Sequence, residues 1–116
     1  MLPKSRITIA MSNFAENLKT LPSVAGLERI ELATASGHLV ARIENKPGQA
    51  GSLALYNHLL HRYGCIDGAA ASAGLSLYAE HAEDAARHPG KHPNIDRLFA
   101  IAAGDAALVG TIVAKP

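Results

Sequence analysis

The chain has no tryptophan, one cysteine, two phenylalanines and three tyrosines. The lone Cys65 forbids an intramolecular disulfide and leaves no Cys-x-x-Cys pair for metal or redox work. It reads as a small buried apolar residue in a reducing, cytoplasmic setting. No apolar run approaches the roughly 20 residues needed to span a bilayer, and "MLPKSRITIAMS" is too weakly apolar for a secretory signal. A formal charge of +1, with 11 Lys and Arg against 10 Asp and Glu, lacks the basic excess of a nucleic-acid binder. The nucleophile elbow Gly-x-Ser-x-Gly is missing, and "GQAGS" lacks the Gly-Lys-Ser/Thr of a Walker loop. No cofactor is implied, and whether the protein is an enzyme stays open.

What is present is an ordinary globular chain of 116 residues, 48% hydrophobic and 18% charged, sized for one domain. Residues 1–12 read as an extension or short strand, with Ile7, Ile9 and Met11 alternating against Arg6 and Thr8. Residues 13–116 read as the domain. Asn13 and Glu16 are spaced as a capping pair for a helix carrying Phe14, Leu18 and Leu21, stopped by Pro22.

"LERIELA" and "HLVARIE" flank a turn with Ser36 and Gly37 at its centre, a hairpin over 27–44. Facing positions then sum to 73: Arg29 meets Glu44, Ile30 meets Ile43, Glu31 meets Arg42 and Leu32 meets Ala41. A slip by one would set charges against apolar groups, so the charge pairs select register.

Ser52 is placed to cap a helix ending at Gly64, with Leu53, Leu55, Tyr56, Leu59, Leu60 and Tyr63 on one arc. Asn57, His58, His61 and Arg62 fall on the other, polar arc. A third helical region starts at Asp67 and is expected to break or kink near Gly74. A fourth starts at Asn94 and buries Ile95, Leu98, Phe99, Ile101 and Ala102. The β-branched run at 107–114 reads as a last strand joining the hairpin, because a two-stranded ribbon alone is marginal. The architecture is α+β, a small antiparallel sheet with three to four helices on one face.

Chemistry concentrates in "RHPGKHPNID", residues 87–96. Corner geometry accounts for Pro89, Gly90, Pro93, Asn94 and Asp96, and leaves Lys91 and His92 without a structural duty. A cation beside a helix N-terminus favours an anion, and Lys46 precedes a second such end. The candidate ligand-binding residues are therefore Lys46, Ser52, Lys91, His92 and Asn94, on the loops at 45–52 and 88–96. Lys91→Ala with His92→Ala is expected to abolish anion binding and leave the melting temperature nearly unchanged.

His81, Asp84 and His88 share a helical stripe and, with His92, could form a nitrogen–oxygen zinc site for a metal-assisted enzyme. The plainer account is helix pairing, Asp84 with His88 at i, i+4 and His88 at the negative end of the dipole. The spacing matches no zinc signature, and no tightly bound zinc is expected. A third possibility is a homodimer through the small residues Ala79, Ala82 and Ala86. The preferred reading is a non-catalytic domain binding a protein partner or a small anionic ligand, with no nucleic acid and no membrane.

The strings "IENKPGQAGSLALYNHL", "GLSLYAEHAEDA" and "HPGKHPNIDRLFAI" resemble the domain of unknown function 2322 family, small uncharacterised bacterial proteins. The likeness runs from about Asn13 to Val113. It implies a bacterial cytosolic protein and transfers no catalytic residue.

Overall fold

The computed structural model describes residues 12–116, so the strand-like run at 6–11 lies outside the described residues. Helix α1 (Phe14–Lys19) opens on the expected capping box: Asn13 accepts from the Glu16 amide and the Glu16 carboxylate accepts from the Asn13 amide. Strands β1 (Leu27–Ala33) and β2 (Leu39–Glu44) form the hairpin, and β3 (Val109–Ala114) pairs with β1 from the other side. The antiparallel order β2-β1-β3 leaves the middle strand paired on both edges. The expected α+β fold is present, with five helices among the described residues.

The hairpin register is the expected one from Leu32 inward, with Arg29 opposite Glu44 and Glu31 opposite Arg42. Nearer the turn it shifts. The Gly37 amide bonds to the Thr34 carbonyl, so Ala35 and Ser36 are the central residues, not Ser36 and Gly37. Gly37 takes φ 94°, and Val40 is the extra residue of a bulge between the pairs Ala33–Leu39 and Leu32–Ala41. Arg42 reaches Glu31 at 3.5 Å, but Arg29 turns to Glu31 and Glu28 at 2.8 and 2.6 Å instead of Glu44. Two neighbouring carboxylates outcompete one across the ladder.

Helix α2 (Ala50–Tyr63) lies over the sheet and buries Leu53, Leu55, Tyr56, Leu59 and Leu60, closing at Gly64 with φ 84°. Asn57 departs from expectation, because it is buried rather than on the polar arc. Helix α3 (Gly68–Tyr78) is capped by Asp67, which accepts from the Ala70 amide. The break comes at Ala79, with φ 53°, and not at Gly74; α4 (Glu80–Arg87) follows. Gly74 serves packing. A Cβ there would stand 2.7 Å from Leu98 and 2.9 Å from Leu59, so hydrogen alone lets α3 seat against α2 and α5.

Helix α5 (Pro93–Ala102) buries Ile95, Leu98 and Ile101 but leaves Phe99 and Ala102 exposed. Its apolar stripe is narrower than the run of apolar letters. One cluster joins Ile30, Leu32 and Ile43 of the sheet to Leu59, Ala71 and Leu98 of the helices.

Candidate functional site

The loops at 45–52 and 88–96 meet. Gly48, Ala50, Gly51 and Ser52 from one, and Lys91, His92, Pro93, Asn94 and Ile95 from the other, line a single cleft of about 420 Å³. Phe14, Tyr78 and His81 complete its wall.

The first side begins with a turn. Gln49 and Ala50 amides both bond to the Lys46 carbonyl, which starts α2 at Ala50, ahead of the expected Ser52 cap. Gln49 makes no side-chain cap, because its carboxamide oxygen accepts from the Glu44 amide. Among the described residues the Gly51 and Ser52 amides have no protein acceptor. A Cβ at Gly51 would meet the Phe14 ring at 3.2 Å, a tight contact that the ring would have to relieve by a few tenths of an ångström. The Ser52 hydroxyl accepts from the Tyr78 hydroxyl at 2.6 Å, tying α2 to α3.

The second side is the Pro-Gly corner. Helix α5 starts at Pro93, so His92 holds the cap position that Asn94 was expected to fill. Ile95 and Asp96 amides bond to the His92 carbonyl, Pro93 has no N–H, and the Asn94 amide has no acceptor among the described residues. The Asn94 carbonyl accepts from the Tyr56 hydroxyl at 2.7 Å, and its side chain accepts from Arg97. Asp96 reaches back to the Gly90 amide, closing the corner. Burial pushes the Tyr56 and Tyr78 hydroxyls up, so both stay protonated donors at neutral pH.

Three of the five candidate residues behave differently from the sequence picture. Lys46 pairs with Glu44 at 3.6 Å and does not line the cleft. Lys91 and His92 both bond to Asp84, at 3.0 and 2.6 Å, so the pair pins the corner to α4. That is a structural duty, and the double alanine variant should therefore lose stability as well. Ser52 and Asn94 line the cleft, although neither caps its helix as expected.

Asp84 is the residue whose role local spacing misses. His92 first, then Lys91 and more distantly His88, hold its carboxyl down to about 2. Because the folded value lies below the ordinary value near 4, the tie is complete above about pH 4. It is lost as pH falls from there through about 2. The urea midpoint of wild type should exceed that of Asp84→Asn near pH 6, and the gap should close by about pH 2. A gap independent of pH would contradict this.

The alternative His81, Asp84, His88 and His92 zinc stripe does not converge. His81 packs edge-to-face with Phe14, ring centres 5.0 Å apart, and stands 6.1 Å from the His92 ring. Among the described residues no group of three His, Cys, Asp or Glu is placed to hold a metal ion. Phe14 also stacks on Tyr78 at 5.2 Å, an aromatic wall that joins α1 to the end of α3. No described helix is long and apolar enough to cross a membrane.

No curated protein and no solved structure matches the chain. The family model described as an uncharacterised protein conserved in bacteria, domain of unknown function 2322, matches residues 14–111, and the chain belongs to that family.

Proposed function

We propose that this protein is a non-catalytic binding domain of the bacterial cytosol that takes a small anionic ligand between the starts of α2 and α5. One observation carries the reading: two loops some forty positions apart line one cleft, and the amides of Gly51, Ser52 and Asn94 have no acceptor among the described residues. Unpaired first-turn amides are donors, and two helix dipoles add positive potential at one place. Lys91 supplies a full charge at the rim, with its side chain more than half exposed. Asp84 offsets part of that charge, which suits a ligand held reversibly. A larger hollow of about 600 Å³ beside Ala79 is lined by Glu80 and Glu83, the wrong sign for an anion.

Thermal unfolding with millimolar nucleoside monophosphate, inorganic phosphate and ionic-strength-matched chloride tests the proposal. A specific anion should raise the midpoint in proportion to the logarithm of its concentration once above Kd, as mass action requires. Lys91→Ala leaves the His92–Asp84 bond in place, so it should unfold near wild type yet bind about fivefold more weakly. Equal responses to every salt, or an unchanged response in Lys91→Ala, would sink the reading.

A further inference from the structure

Asn57 sits on the buried side of α2 with 5% of its surface exposed, and its Oδ1 has no hydrogen-bond partner among the described residues. A buried acceptor without a donor is destabilising, and a leucine of similar size would fill the position without that penalty. Packing does not ask for this carboxamide. Asn57 lines a second cleft, of about 440 Å³, with Pro22, Leu27 and Ile112 as apolar walls and Ser23 and His61 as its other polar residues. It shares no lining residue with the anion cleft. His61 Nδ1 meets the Asn57 main-chain carbonyl at 2.9 Å. A carbonyl only accepts, so Nδ1 carries the proton and the neutral ring offers Nε2 as an acceptor.

We propose that this cleft is a second binding site, for a neutral molecule with an apolar body and a carboxamide head. Among the described residues no Lys, Arg, Asp or Glu lines it, so an ionic head would be desolvated without a counter-charge. The head must bring a donor to Oδ1. An end-over-end turn of Asn57 exchanges Oδ1 and Nδ2, so a head with donor and acceptor side by side pairs with either orientation. The volume falls within the range of small-molecule clefts, and the apolar walls take the aliphatic part.

Pentanamide is a suitable probe on the full ¹⁵N-labelled chain, followed through the side-chain resonances of Asn57 and His61. Saturable shifts of both are expected, with pentanoate and pentylammonium binding at least about tenfold more weakly. Asn57→Leu should abolish the response and melt no lower than wild type. Ile112→Phe, which narrows the cleft and keeps Asn57, should abolish it too, and decides the matter if the leucine variant does not fold. Absence of saturable shifts in wild type overturns the proposal, as does equal binding of the charged analogues or an undiminished response in a folded variant. Asn57 Oδ1 is then served by an enclosed water alone.

Discussion

Replacing Tyr56 by alanine is expected to destabilise the protein by about 3–5 kcal/mol, the range for deleting a buried aromatic side chain. The ring is fully enclosed within the cluster that joins the sheet to the helices. Its hydroxyl holds the Asn94 carbonyl, and the Arg97 guanidinium lies 5.7 Å from the ring centre. Tyr56→Phe separates the two contributions. It keeps the packing and removes two hydrogen bonds, the one donated to the Asn94 carbonyl and the one accepted from Arg97 at 3.1 Å, so a loss of about 1–3 kcal/mol is expected, centred on the start of α5. Urea unfolding of both variants measures this. A phenylalanine variant as unstable as the alanine one would mean that the hydroxyl, and not the ring, holds α5 in place.

Gly74→Val should cost about 1–3 kcal/mol by overpacking, and more if neighbouring helices cannot yield. Any Cβ at position 74 approaches Leu98 and Leu59 more closely than real contacts permit, and valine adds two methyl groups there. Helix propensity alone gives the opposite sign, since glycine is the poorer helix former. The competition is therefore informative. Gly26→Ala is the control, because nothing lies within 4 Å of a Cβ at that position, and it should stay within about 0.5 kcal/mol. A stabilised Gly74→Val would show that α3 does not rely on close approach.

These two positions also mark where the sequence is legible. Features set by neighbours in the chain were readable: the Asn13–Glu16 box, the Asp67 cap, Gly64 in the left-handed region and the hairpin register. The caps depend on residues a few positions apart, and the register on two strands joined by a short turn. Gly74 has the letter of a helix breaker, and only the side chains of Leu59 and Leu98 reveal it as a packing residue. The true break, at Ala79, carries no breaker letter at all.

The candidate site divides in the same way. That residues 88–96 form a corner could be read from Pro89, Gly90 and Pro93. That Asp84 would take both Lys91 and His92 could not, because the corner folds them back onto α4. Lys46 was assigned by its place before a helix start, and its side chain follows the nearer carboxylate of Glu44 instead. Phe14 gave no signal of belonging to the cleft. Its wall with Tyr78 joins positions 64 residues apart, beyond any local pattern.

The central claim is that the starts of α2 and α5 act together on one anion. Titrating the ¹⁵N-labelled protein with inorganic phosphate, at constant ionic strength, addresses it most directly. The backbone amides of Gly51, Ser52 and Asn94 should move together along one saturating curve, while the amide of Lys46 stays nearly still. Separate curves for the two helices, or shifts spread evenly over the surface lysines, would contradict it.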